Sequence, residues 1–233
     1  MAVAEATILV RVPLAPARGT PAITQSTYGL VGNLELVVPD AEDGLWVHWR
    51  NNDDEDVVPG VVSGGWSAGL HFASGARYDA VAVLQTRQGP DFVEVLARSG
   101  TRVDRTFWSP GNGFSRPEPA FAADGMLELL EEDDALVAVT GTGRTLAAAV
   151  SSYPRLDWRE TEPRPPVLAS TPVPPCDAFA TCRSTLDGGR TELVLRIGTW
   201  LFDAGSGGDP TPIETHAWVA AQDASSVNVR PPA

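Results

Sequence analysis

Apolar and polar residues alternate along short stretches of this chain, and turn-forming residues punctuate them. Residues 6–12, 33–38, 45–50, 80–84, 92–97, 136–140, 146–150, 192–197 and 217–221 are rich in Val, Leu and aromatic side chains, with clusters of Gly, Pro, Asn and Asp between them. Alternation bounded by turn residues is the mark of a β-strand, whose successive side chains point to opposite faces. The pattern predicts an all-β chain. Asp43-Gly44, between the stretches ending at Val38 and beginning at Leu45, is a hairpin signal, since Gly accepts the positive φ of a tight turn. Residues 124–132 contain a run of strong helix formers, so a short helix there is the one exception the pattern admits.

The alternation also repeats on a longer scale. Gln25-Ser26-Thr27-Tyr28-Gly29, Asn33-Leu34-Glu35-Leu36-Val37-Val38 and Trp49 return as Gln85-Thr86-Arg87-Gln88-Gly89, Phe92-Val93-Glu94-Val95-Leu96 and Trp108. Gln25 and Gln85 are sixty positions apart; Glu35 and Glu94, like Trp49 and Trp108, are fifty-nine apart. Such repeats mark one supersecondary unit used several times, because a single unit cannot bury its apolar face alone. A ring of four-stranded blades is built this way, and at roughly 40 to 50 residues per blade the chain holds about four or five. The expectation is a β-propeller-like fold in one domain, 1–233, with repeats at about 21–66 and 80–120 and degenerate repeats over 121–233. A further step of fifty-nine places Tyr153 at the Glu position and Val167 at the Trp position, so the repeat fades. Closure needs the strand around Ile8 to Val12 to join strands from the C-terminal end; a reduced propeller, a closed five-bladed ring and a fragment completed by another subunit, as a homo-oligomer, all stay open.

Composition narrows the partners. The chain has 233 residues, 43% hydrophobic and 20% charged, enough for a sizeable core. A net charge of −13 without a Lys/Arg cluster repels phosphate backbones and anionic head groups, so neither nucleic acid nor a membrane surface is an expected partner. No basic start or apolar run precedes Arg11, so no secretory leader is expected, and the chain reads as cytoplasmic or released by another route. Cys176 and Cys182 lack the companions of a zinc site and read as a small disulfide loop or as two free thiols. Pro-rich residues 163–175 read as an extended surface connection, with an interdomain linker as the alternative.

The first repeat carries a family resemblance. Gln25-Ser26-Thr27-Tyr28-Gly29, Gly32-Asn33-Leu34-Glu35-Leu36-Val37-Val38 and Gly44-Leu45-Trp46-Val47-His48-Trp49-Arg50-Asn51-Asn52-Asp53 resemble the repeat of the tryptophan-rich, fucose-binding propeller lectins. That repeat runs roughly as I-Q-S, G-N-F/L-E, a turn and H-x-W-R-D-N, and the resemblance covers about residues 20–118. It implies a non-catalytic, carbohydrate-binding protein that needs no cofactor and takes glycans, fucosylated ones among them, as partners. On that reading Trp46 or Trp49 stacks on the sugar, and His48, Arg50, Asn51 and Asp53 exchange hydrogen bonds with its hydroxyls. The second copy departs, with Phe107-Trp108-Ser109-Pro110 where the first has His48-Trp49-Arg50-Asn51. An aromatic at a fixed strand position also suits packing between blades, and Arg50 also suits an ion pair with Asp43 or Asp56. That alternative makes the chain a degenerate propeller serving as a protein-interaction or assembly scaffold.

Catalytic signatures are missing from the sequence. His48, His71 and His216 are the only histidines, and no G-x-S-x-G, H-E-x-x-H, P-loop or dinucleotide-binding run stands in a strand-turn-helix context. Asp53-Asp54-Glu55-Asp56 and Glu131-Glu132-Asp133-Asp134 lack the spaced ligands of a calcium loop and read as solvated turns, so no metal site is expected. Glu35 and Glu94 are the carboxylates a glycosidase would need if both faced one cleft, but matching positions on repeated strands suggest a structural role.

Overall fold

The computed structural model describes residues 16–54, 57–87, 92–132, 135–142, 145–152, 157–160, 177–183, 191–197, 200–203 and 211–212. Among them every regular element is a strand, in four antiparallel sheets that follow one another along the chain. The first sheet holds β1 (Ala22–Gln25), β2 (Leu34–Pro39), β3 (Leu45–Arg50) and β4 (Leu70–Phe72) in that spatial order. The second holds β5 (Ala80–Gln85), β6 (Val93–Ser99), β7 (Arg102–Ser109) and β8 (Gly113–Phe114), with β9 (Glu118–Ala122) also paired to β7. The third is β10 (Met126–Glu132), β11 (Ala135–Thr142), β12 (Thr145–Ser152) and β13 (Asp157–Glu160). The fourth is β14 (Ala178–Arg183), β15 (Thr191–Ile197), β16 (Trp200–Asp203) and β17 (Thr211–Pro212).

First strands neighbour one another in turn: β1 meets β5, β5 meets β10, and β10 meets β14. Face-to-face cores lie between the sheets. Val37, Leu45 and Val47 pack with Val81, Val83 and Val95; Leu96 and Val103 with Leu129 and Leu136; Leu130 and Val139 with Phe179 and Leu195. The inner sheets are buried on both faces, which is why β5 and β11 read as continuous apolar runs. Each fully buried Val or Leu contributes about 1.5–3 kcal/mol through removal from water. Meanders stacked inner strand beside inner strand have the blade arrangement of a propeller. The chain is all-β and propeller-like.

Strands stand where the alternation places them at 33–38, 45–50, 80–84, 92–97, 136–140, 146–150 and 192–197, give or take a residue or two. The stretches 6–12 and 217–221, the Pro-rich 163–175 and any pairing of Cys176 with Cys182 lie outside the described residues. Residues 126–132 are strand β10, not helix. Leu127 and Leu129 enter the core with the second sheet while Leu130 enters the core with the fourth. Burial on both faces outweighs a helix preference worth a fraction of a kcal/mol per residue. The β2–β3 hairpin closes at Asp43-Gly44 as expected, with Gly44 at φ 73°. Asp40 braces it by accepting from the backbone N–H groups of Glu42 (2.6 Å) and Asp43 (3.1 Å), bonds that hold its carboxyl below the usual carboxylate range.

Register corrects the repeat in one respect. Glu35 pairs with Trp49 across β2 and β3, whereas Glu94 pairs with Phe107, and Trp108 lies opposite Val93. Phe107 is thus the counterpart of Trp49, and Trp108 the counterpart of Arg50. The cause is hairpin length: five residues, Asp40 to Gly44, join β2 to β3, but only Gly100 and Thr101 join β6 to β7. A shift of one residue turns every later side chain to the other face.

The third sheet also carries a repeated feature. The backbone N–H of Thr27 donates to Oε1 of Gln85 at 3.3 Å, and that of Arg87 donates to the Glu131 carboxylate at 3.2 and 3.3 Å. Each bond ties the residue two past an inner-strand end to a side chain of the next inner strand. Gln25, Gln85 and Glu131 form the series, with steps of sixty and then forty-six, so a constant step misses the third member.

Candidate functional site

Alternation along β3 sends Leu45, Val47 and Trp49 toward the second sheet, and Trp46, His48 and Arg50 to the opposite face. Trp108 and Phe114, paired across β7 and β8, look back from the second sheet. Between the two sheets lies a cleft of about 280 Å³, at the small end of ligand pockets. Trp49 and Trp108 line it, with Val47, Val93 and Phe114 among its apolar walls. Val58 and Pro59, from the long β3–β4 connection, and Leu70 of β4 also line it. Its polar residues are Ser26, Asn33 and Glu35, beside Tyr28.

Strand geometry builds this polar end. Glu35 lies directly across from Trp49. Ser26, just past β1, donates its hydroxyl to Glu35 Oε1 at 3.1 Å. Asn33, just before β2, is 2% exposed, and its buried Oδ1 has no hydrogen-bond partner. A buried amide oxygen without a donor is costly, about 1–3 kcal/mol, and is suited to a ligand that supplies one.

The six residues singled out from the sequence do not converge on one surface. Trp49 alone lines the cleft. On the opposite face Trp46 donates its indole N–H to Asp40 (2.6 Å), stacks on His48 (centroids 6.1 Å apart) and tilts against His71 (5.1 Å). His48 is wholly buried; its Nδ1 stands 3.4 Å from the Ser67 carbonyl, and burial pulls its pKa below the ordinary value, keeping the imidazole neutral. Arg50 donates to the Gly64 carbonyl at 3.2 Å and to Asn52 Oδ1 at 3.1 Å; of the two carboxylates expected from the sequence, Asp43 is not among its partners and Asp56 lies outside the described residues.

Asn51 and Asp53 brace the loops around the cleft. The Asn51 amide donates to the carbonyls of Val61 (2.8 Å) and Asp54 (3.3 Å), and its oxygen accepts from the Asp53 N–H (2.9 Å). The Asp53 carboxylate accepts from the N–H groups of Leu30 and Val31, both at 2.9 Å. It thereby fixes the β1–β2 loop that carries Tyr28. Of the other cleft residues, Ser26, Asn33 and Trp108 are not among the sequence candidates, and Glu35 enters there only as half of a glycosidase pair. All four sit in the repeated motif, but only register shows that they face one space.

The next cleft, between the second and third sheets, has the same plan with different contents. Register equates Glu94 with Glu35, Phe107 with Trp49 and Arg105 with Val47. Arg105 pairs with Glu94 through Nε and through Nη2 (3.1 Å to Oε2), and its guanidinium lies 4.7 Å from the centroid of the Phe107 ring. Burial raises the Glu94 carboxyl above its ordinary pKa, outweighing the Arg105 hydrogen bond and charge that lower it. Glu131 adds an ion pair with Arg87 at 3.0 Å. Where the first cleft offers Val47 and space, the second holds an internal cation.

No protein-family model matches the chain, and no curated protein does. Among solved structures it is similar to Aleuria aurantia lectin. One structure, a mutant of that lectin in complex with α-methyl-L-fucoside, aligns with TM-score 0.47 and 12% identity over 85% of this chain and 62% of that one. A second, with Fucα1-6GlcNAc, gives TM-score 0.48 and 12% identity over 86% and 63%. The chain therefore spans less than two thirds of the length of these lectins.

Chemically the first cleft offers flat aromatic faces, hydrogen-bond acceptors and one carboxylate. Glu35 and Glu94 face different clefts, so they do not form the flanking pair that glycoside hydrolysis uses. Among the described residues no group of three or more His, Cys, Asp or Glu is placed to hold a metal ion.

Proposed function

We propose that this chain is a non-catalytic, lectin-like carbohydrate-binding protein and that its site is the cleft between the first and second sheets. The observation that carries the reading is the pairing of Trp49 and Trp108 from two sheets with Ser26, Asn33 and Glu35 in the same cleft. Aromatic faces take the C–H patches of a sugar ring, and oriented polar groups fix its hydroxyls. Trp49 makes direct contact; Asn51 and Asp53 hold the loops, and Trp46, His48 and Arg50 support the back of the sheet. Fucosylated glycans lead the candidates, since the motif from Gln25 to Asp53 resembles the fucose-binding repeat. If copies associate, several such cleft sites gain avidity only where they engage one glycan surface together.

The test is a glycan array followed by titration, with Trp49→Ala and Trp108→Ala checked for intact folding. Each folded variant should bind at least about tenfold more weakly, a loss of roughly 1.4 kcal/mol. A second reading, a scaffold that docks another protein, draws on the exposed loop residues Leu30 (88%), Val31 (60%) and Val62 (61%). Absence of binding to every glycan would favour it.

A further inference from the structure

We propose that a second site, separate from the first cleft, binds a small organic molecule through an anionic group: a carboxylate, a sulfate ester or a phosphate ester. The site is a pocket of about 680 Å³, more than twice the volume of the first cleft and within the usual range for ligand pockets. Three parts of the chain line it: the start of β7, the connection from β4 to β5 and the connection from β8 to β9. Arg102 and Asp104 stand two apart on β7, so strand alternation puts both side chains on the pocket's face. The β7–β9 pairing slips by one residue there, which sets Pro119 opposite Asp104 and brings it into the lining.

The charges of the lining give the pocket its selectivity. The Asp104 carboxylate is buried, and its Oδ2 accepts from the Tyr78 hydroxyl at 3.2 Å and from Arg102 Nη2 at 2.7 Å. Asp104 thereby fixes the Arg102 guanidinium while taking one of its several N–H donors, and 55% of the Arg102 side chain stays in solvent. Arg116 is the second cation of the lining; it is exposed and pairs with no carboxylate among the described residues. Two guanidiniums against one carboxylate leave a local surplus of one positive charge in a chain whose net charge is −13. Guanidinium forks match the oxygens of an oxyanion with charge-assisted hydrogen bonds. A bare ion would leave most of the volume empty. Phe72 and Phe114, stacked with centroids 3.8 Å apart, and Pro117 and Pro119 supply apolar walls for the body of an organic anion. The net negative charge opposes anions at long range, so the affinity comes from contacts inside the pocket and persists when salt screens distant charges.

The experiment is calorimetric titration at about 0.15 M salt with benzoate, phenyl phosphate and phenyl sulfate. Benzamide serves as the uncharged counterpart, and inorganic phosphate and sulfate as counterparts without the ring. At least one aromatic anion should bind with Kd of about 1 mM or tighter, and about tenfold more tightly than benzamide or the inorganic ions; the tightest of the three identifies the anionic group. Arg116→Gln should weaken that binding about tenfold, and Arg18→Gln, the same charge change at an exposed residue outside the lining, should leave it intact. Arg102→Gln should weaken it too, but that change also takes a partner from the buried Asp104, so Arg116→Gln decides the matter if the Arg102 variant does not fold. No binding of any of the three at about 10 mM, equal affinity for benzamide or for the inorganic ions, or an affinity that Arg116→Gln does not move would each overturn the proposal. None of these outcomes bears on the glycan reading of the first cleft, which Trp49→Ala and Trp108→Ala test.

Discussion

Arg105→Leu is the sharpest test of how the second cleft is built. The side chains of Glu94 and Arg105 are only 4% and 14% exposed, so the pair lies almost wholly outside solvent. Removing the arginine leaves Glu94 buried without the guanidinium that partly offsets its desolvation, a change that typically costs about 3–5 kcal/mol. Replacing both partners, as in Arg105→Leu with Glu94→Leu, removes the buried charge as well, and such apolar replacements lie within a few kcal/mol of neutral and are often stabilising. The double variant should therefore be more stable than the single one by about 3 kcal/mol or more, an inversion that ordinary cavity effects do not produce. The pH dependence has a definite sign. In Arg105→Leu the folded pKa of Glu94 rises further above the unfolded value of about 4.3, so the folded state holds the extra proton. The unfolded-state contribution is common to both proteins, so the penalty relative to the parent grows as pH rises from the parent's folded pKa, already raised by burial, to the variant's higher one, and is constant above that. Urea unfolding followed by tryptophan fluorescence, at pH values from about 4.5 to 8, reads both quantities. A single-variant cost below about 1 kcal/mol, typical of a surface pair, or a double variant no more stable than the single, would refute this account.

Three other outcomes are expected. Asn51→Ala leaves the Val61 carbonyl and the Asp53 N–H without their partners, which should cost about 2 kcal/mol or more and speed hydrogen exchange at residues 57–65; unchanged exchange there would remove Asn51 as the brace of that loop. Burial holds the Glu128 carboxyl up at about 7, against about 4.3 in the unfolded chain, so native stability falls as pH rises between those values. Glu128→Gln should gain about 2 to 3 kcal/mol on the parent between pH 5 and 8, and parallel unfolding profiles for the two proteins would contradict this. Gly69 sits at φ 93°, and a Cβ there would lie 2.5 Å from Cε1 of the buried His48; Gly69→Ala should cost about 1–3 kcal/mol, and a neutral melting curve would show that the His48 ring has room to move.

The strands were legible because two-sided burial writes itself as apolar runs between turn residues. Ambiguity arose where such a run lacks β-branched residues, as at Met126 to Leu130, whose helix preference is overruled only by cores on both faces. The cleft was half legible: the motif held Ser26, Asn33, Glu35 and Trp49, but nothing local shows that their side chains meet. His48, Asn51 and Asp53 drew attention because they are polar residues beside tryptophan, the same pattern whether the polar groups face a ligand or brace a loop. Only the acceptors that Asn51 reaches and the donors that reach Asp53 decide where their bonds go.

Strand parity explains why the two clefts differ. Residues with the same motif position face the same space only if the hairpins between them have lengths of matching parity. The five-residue turn after β2 and the two-residue turn after β6 break that match, so Trp108 points back into the first cleft and not forward into the second. The first cleft thereby holds two tryptophans, and the second, deprived of one, holds Phe107 beneath Arg105. The odd difference in turn length therefore decides which cleft has aromatic faces on both sides.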